Sequence, residues 1–71
     1  MNNIKKRERT NKQERYTRLT IMDTFDGTTF IVYCDSVENN YWWDEANDRN
    51  NMLTIMDAIY ISREEYINEG N

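Results

Sequence analysis

RLTIMDTFDGTTFIVYCD, residues 18 to 35, decides the fold, because apolar and polar side chains alternate on both sides of Asp26-Gly27. That dipeptide suits a type I′ hairpin turn, whose two central residues both need positive φ. With those two residues as the loop, Phe25 faces Thr28, Asp23 faces Phe30, Ile21 faces Val32 and Leu19 faces Cys34. Leu19, Ile21, Phe30, Val32 and Cys34 then share one face, while Met22, Ile31 and Tyr33 share the other with Thr20, Thr24 and Thr29. The alternation begins at Tyr16 and predicts an antiparallel hairpin with one core-facing side.

Downstream, residues 52 to 61 (MLTIMDAIYI) repeat the pentapeptide Leu-Thr-Ile-Met-Asp of residues 19 to 23. Two copies are too few for a repeat array, which needs at least about three units. They read as two strands solving the same packing problem, with Leu53, Ile55, Ile59 and Ile61 on one parity and Met52, Thr54, Met56 and Tyr60 on the other. Between hairpin and third strand, residues 36 to 51 (SVENNYWWDEANDRNN) admit two readings. In one, Ser36 caps a helix over about residues 36 to 48 with a loose apolar face of Val37, Tyr41, Trp42 and Ala46, giving an α+β fold of ββαβ order. In the other, Tyr41 to Trp43 form a strand and Asp44 to Asn51 a surface loop. The load of Asn and Asp disfavours a helix, so the strand is preferred. At the C-terminus, Ser62-Arg63-Glu64-Glu65 is a capping-type opening for one helical or 3₁₀ turn that returns Tyr66 and Ile67 to the core.

The expected fold is therefore mainly β: a small antiparallel sheet or barrel, a short C-terminal helical turn and a basic N-terminal arm. The order of hairpin, strand with acidic loop, long strand, short turn and final apolar pair resembles small SH3-like or Sm-like barrels. The likeness covers about fifty residues, notably Leu53 through Tyr60-Ile61-Ser62-Arg63-Glu64-Glu65-Tyr66-Ile67. It is one of architecture and transfers no binding residue.

Charge divides the chain into an arm, residues 1 to 15, and an acidic body, residues 16 to 71. The first eighteen residues hold seven of the nine bases against Glu8 and Glu14, a balance of +5, and the remainder holds eleven acids against two bases, a balance of −9. Arm residues 1 to 15 offer Ile4 besides Met1 as apolar anchors, too few to seat a helix on a core. The body is small enough that its core is marginal, which makes its nine aromatic residues important and self-association into a homo-oligomer a live outcome. A single cysteine, Cys34, forms no internal disulfide, and the charged N-terminus lacks the apolar run of a signal peptide or membrane span. These features suit a cytoplasmic protein away from membranes. Asn occurs ten times, Ala and Gly twice each and Pro never, a skew that suits an AT-rich coding sequence such as that of a low-GC bacterium or one of its phages.

Composition also removes chemistry. With no histidine, imidazole acid/base work, histidine-activated nucleophiles and most zinc sites are excluded. Gly27 and Gly70 are the only glycines, so no Gly-rich phosphate loop exists, and Ala46 and Arg49 interrupt any calcium-loop spacing among Asp44, Glu45 and Asp48. No catalytic residue, metal site or cofactor is expected. Tyr41, Trp42 and Trp43, rimmed by Asp44, Glu45 and Asp48, are the candidate surface for a partner protein with a basic face. A concrete version is a phage-type inhibitor that mimics nucleic acid, its carboxylates standing in for phosphates. The alternative is a nucleic-acid-binding regulator using Lys5, Lys6, Arg7, Arg9, Lys12 and Arg15, with stacking from Tyr16 or exposed aromatics.

Overall fold

The structure is a computed structural model, described here for residues 15 to 70. Its elements run β1 (Tyr16–Asp23), β2 (Thr29–Cys34), α1 (Ser36–Asn47), a 3₁₀ turn (Arg49–Asn51), β3 (Leu53–Ile61) and α2 (Arg63–Glu69). Among the described residues the strands form an open antiparallel sheet of order β2-β1-β3, so β1 is central and β2 and β3 are edges. No barrel closes. The connection from β2 to β3 is α1, which crosses one face of the sheet, while α2 packs on the opposite face. The small antiparallel sheet expected from the sequence is present, and with its two helices the arrangement is compatible with a small α+β or a mainly β fold.

The hairpin forms with a longer loop than Asp26-Gly27 alone. Ile21 pairs with Phe30, Leu19 with Val32 and Thr17 with Cys34, a two-residue shift from the expected register. Gly27 has φ +80°, but Asp26 is not among the positive-φ residues, so the type I′ geometry is absent. Instead Gly27 N–H donates to the Asp23 carbonyl at 2.7 Å, and the Asp23 N–H donates to the Thr28 carbonyl at 2.8 Å. Two carboxylates hold this loop: Asp23 accepts from Phe25 N–H, and Asp26 accepts from the N–H and hydroxyl of Thr28. Those bonds keep the Asp26 carboxyl below its ordinary value. Because side chains alternate with period two, a shift of two residues leaves every side chain on its expected face.

Strand β3 departs from simple alternation. Ile21 pairs with Ile55 but Thr20 pairs with Asp57, leaving Met56 as the extra residue of a β-bulge. Leu53 and Ile55 face α1, and beyond the bulge Ala58 and Tyr60 take that face opposite Leu19 and Thr17. Without the bulge, Asp57 would sit opposite fully buried Leu19 on the covered face, where an unpaired carboxylate is heavily penalised. Deleting Met56 should regularise the ladder and leave the pairings of Ala58 and Tyr60 unchanged, with stability altered by less than about 1 kcal/mol. A deletion variant that fails to unfold cooperatively in urea would refute this account of the bulge.

Residues 36 to 47 are helical, which corrects the strand expected at Tyr41 to Trp43 and the loop expected from Asp44. The cap is Asp35, one residue before Ser36. Its carboxylate accepts from Glu38 N–H at 2.8 Å, and the Glu38 carboxylate accepts from Asp35 N–H at 2.9 Å. This reciprocal capping box, together with packing of Trp42 on the sheet, outweighs the weak helix propensity of Asn and Asp. The inward side presents Asn39, Trp42 and Ala46, whereas Val37 and Tyr41, expected on the apolar face, point outward. After Asn47 the chain makes a compact 3₁₀ turn, with Met52 left-handed at φ 55°. The Met52 carbonyl accepts from the N–H and hydroxyl of Thr24, tying this turn to the hairpin loop.

Ser62 caps α2 as expected, its hydroxyl accepting from Glu65 N–H at 3.0 Å. The helix runs for seven residues and stacks Tyr66 on Tyr16 at 4.8 Å between ring centroids. Ile67 stays partly exposed instead of returning to the core. Gly70 closes the helix against β2: a Cβ there would lie 2.7 Å from the Tyr66 carbonyl oxygen and 3.0 Å from Tyr33 Cβ. Among the described residues Leu19, Ile21 and Cys34 are the fully buried hydrophobic side chains, with Val32, Trp42, Leu53 and Ile55 packed against them. Burial, reinforced by nearby Glu38, pushes the Cys34 thiol up to about 11, so it is core filler, as its apolar face implied.

Candidate functional site

The six body residues picked from sequence divide into three environments. Trp42 turns inward and meets Phe30 edge-on at 5.9 Å and Tyr41 at 5.1 Å, so it anchors α1 to the sheet. Trp43 leans toward β3 and remains 41% exposed beside Ala58, Ile59 and Tyr60. Tyr41, 54% exposed, and Val37, 76% exposed, lie on the outward face of α1. With Asp44 and Asp48 they follow spacings of four, three and four residues, a single stripe along the helix.

Two of the three acids at this end have structural work. The Glu45 carboxylate and carbonyl both accept from Asn51 Nδ2, at 3.1 and 3.0 Å, and the Asp48 carboxylate accepts from Asn50 N–H at 3.0 Å to cap the 3₁₀ turn. Asp44 makes no hydrogen bond or ion pair among the described residues and is exposed. The last turn of α1 holds no base. Carboxylates there oppose the negative end of the helix dipole, at a cost of about 0.3 to 1 kcal/mol each.

A second surface was not foreseen. Arg15, the last residue of the arm, is held to the start of α1, its N–H donating to Ser36 Oγ at 3.3 Å and its carbonyl accepting from the Ser36 hydroxyl at 3.4 Å. The Arg15 guanidinium lies over the Tyr60 ring, 5.2 Å from the centroid. Beside this pair is a cavity of about 230 Å³ lined by Arg15, Thr17, Ser36, Asn39, Asn40 and Tyr60. A second cavity of about 210 Å³ shares Thr17, Asn39 and Tyr60 and extends past them to Trp43. The two form one groove between α1 and the C-terminal half of β3, and no carboxylate lines either part. Thr17 donates to Asn39 Oδ1 at 3.0 Å, which orients that amide and leaves Nδ2 with no partner among the described residues.

Compared with protein-family models, curated proteins and solved structures, the chain returns no match. Among the described residues no group of three or more His, Cys, Asp or Glu side chains is placed to hold a metal ion, and no helix is long and apolar enough to cross a membrane.

Sequence reasoning missed Tyr60, Asn39 and Asn40. Simple alternation puts Tyr60 on the opposite face because the Met56 bulge has no alternation signature, and the asparagines weigh against a helix by propensity. A signal was present: only a bulge keeps Asp57 off the face that holds Leu53 and Ile55. The arm residues Lys5, Lys6, Arg7, Arg9 and Lys12 lie outside the described residues; Arg15 alone of that set is placed.

Behind both surfaces, Glu38 also accepts from the Tyr66 hydroxyl at 2.9 Å, joining the N-terminus of α1 to α2. This bond favours the neutral phenol and pushes Tyr66 up to about 12 from its ordinary 10.0. A raised value means the contact contributes fully below pH 10 and is lost as pH rises through about 12. Tyrosine absorbance should therefore show one late-titrating phenol, absent in Glu38→Gln, with α2 detaching over the same range. A Tyr66 that ionises with the exposed tyrosines would refute the bridge.

Proposed function

We propose that this protein is a small non-enzymatic interaction protein that docks the outward face of α1 onto a basic surface of a partner protein. The supporting observation is the stripe Val37, Tyr41, Asp44 and Asp48, in which two exposed apolar side chains continue into acids at a helix end holding no base. Cations on a partner would relieve the unfavourable charge at that end, and Tyr41 supplies the amphipathic ring that dominates interface energetics. In its concrete form the partner is a nucleic-acid-binding protein whose groove is occupied by α1, with Asp44 and Asp48 in place of phosphates. Trp43, turned toward β3, lies outside this stripe, and Trp42 anchors the helix that carries it to the sheet.

A photo-crosslinking residue at position 41 tests this in extract of the host cell, followed by titration of the purified captured protein. The expected result is a basic, nucleic-acid-binding partner whose affinity falls at least about tenfold, roughly 1.4 kcal/mol, for Tyr41→Ser with Asp44→Lys. Removal of residues 1 to 14 should change that affinity little. Unchanged affinity of the double variant would overturn the proposal.

A second reading, a regulator that binds nucleic acid through its basic arm, is supported by one observation. Arg15, the last residue of that arm, is seated on an exposed tyrosine in a groove free of carboxylates.

A further inference from the structure

We propose that the groove between α1 and β3 seats the bases of single-stranded nucleic acid, with Tyr60 and Trp43 as stacking rings and Arg15 as the first phosphate contact. The inference rests on the arm-binding reading and names the part of the body that completes it. Four observations converge on this groove.

Exposed aromatics come first. Tyr60 is 71% exposed and Trp43 41% exposed, and both border the same cavity. A ring left in water at a concave site is a stacking platform for a base, worth about 1 to 3 kcal/mol per base and tolerant of sequence. Aim comes second. The Met56 bulge turns Tyr60 to the α1 side, opposite Thr17, and bulges commonly re-aim side chains next to functional sites.

Polar chemistry comes third. Asn39 and Asn40 present side-chain amides, each with donors and an acceptor that match the edges of unpaired bases, and Asn39 is already oriented by Thr17. Charge comes fourth. The body is acidic, yet neither cavity is lined by Asp or Glu, and the Arg15 guanidinium borders the groove over the Tyr60 ring. A phosphate backbone at the groove therefore meets Arg15 without meeting a carboxylate on the groove wall.

The arrangement also indicates how a ligand would enter. Arg15 is fixed through its main chain to Ser36, so its guanidinium can move from the Tyr60 ring to a phosphate and release the ring face to a base. Each cavity is smaller than the roughly 300 Å³ of a drug-sized pocket, which suits single bases inserted edge-first from an extended strand. Duplex fits poorly, because its paired bases offer no free faces.

The test is fluorescence anisotropy with short labelled single-stranded RNA, single-stranded DNA and duplex DNA, at low and physiological salt. It uses the full chain, Tyr60→Ala, Tyr60→Phe, Trp43→Ala and a chain lacking residues 1 to 14. The expected result is single-strand binding that falls roughly 5- to 150-fold in Tyr60→Ala, falls in Trp43→Ala and is kept in Tyr60→Phe. Removing the arm should weaken binding and flatten its salt dependence while the remaining affinity still responds to Tyr60. A preference for RNA reports contact with the 2′-hydroxyl, and Tyr60-dependent binding of either single strand supports the site. Binding lost with the arm but unchanged in Tyr60→Ala and Trp43→Ala overturns the groove and leaves the arm reading standing. Preference for duplex overturns the stacking role, and no binding at low salt by the full chain overturns both. Circular dichroism of each variant excludes unfolding as the cause, since both rings are exposed.

Discussion

Leu19→Ala is expected to leave the protein largely unfolded at 25 °C. Leu19 is fully buried on the central strand, between Val32 on β2 and Ala58 on β3. Removing a buried leucine to alanine costs about 2 to 5 kcal/mol, the upper part of that range when the surroundings cannot close the cavity. A sheet bonded on both sides of the site closes poorly. Against this, the fifty-six described residues imply a total stability of roughly 3 to 8 kcal/mol at typical values per residue. The loss is therefore comparable to the whole. Urea titration followed by circular dichroism checks it: the wild type should show a cooperative transition, and Leu19→Ala little or none. Leu19→Met conserves volume and should remain folded, within about 1.5 kcal/mol. A Leu19→Ala midpoint close to wild type would show that the core lies elsewhere.

The adjacent tryptophans should separate sharply. Trp42 packs against the buried cluster and against Phe30 and Tyr41, and it is the large side chain that seats α1, a helix with no fully buried residue. Trp42→Ala should cost about 2 to 4 kcal/mol, below the top of the range for buried aromatics because the ring is only partly covered, and it should release α1 from the sheet. Trp43 lies at the groove with much of its ring in solvent, so Trp43→Ala should cost under about 1 kcal/mol. Unfolding monitored by far-ultraviolet circular dichroism reads both variants without relying on tryptophan fluorescence. Equal losses would refute the assignment of one ring to packing and the other to the groove. The same pair bears on function, because only a ring that is not needed for folding is available to a ligand.

Much of the first face was legible. Leu19, Ile21, Phe30, Val32 and Cys34 lie together as their alternation implied, and Leu53 with Ile55 joins them from β3. The repeated Leu-Thr-Ile-Met-Asp proved to be two neighbouring strands, with Ile21 paired to Ile55. Local propensity counts each Asn and Asp of residues 36 to 48 against a helix and takes no account of the Asp35-x-x-Glu38 pair that caps it. The orientation of the three candidate aromatics followed from that helix. Alternation would have put Trp42 opposite Tyr41 and Trp43; helical geometry turns Trp42 inward, Tyr41 outward and Trp43 toward β3.

Sequence by itself determined the division into basic arm and acidic body, the hairpin and its two faces, the burial of Cys34 and the lack of imidazole chemistry. Each depends on a short-range property: charge, residue type or a period of two. Tertiary structure decided the rest. Which face Tyr60 takes depends on whether Asp57 would otherwise meet Leu19 across two strands, and whether residues 36 to 47 are helix depends on a sheet for Trp42 to pack on. The groove exists only because both were settled together, bringing Arg15, Asn39 and Tyr60 to one place from three separate parts of the chain.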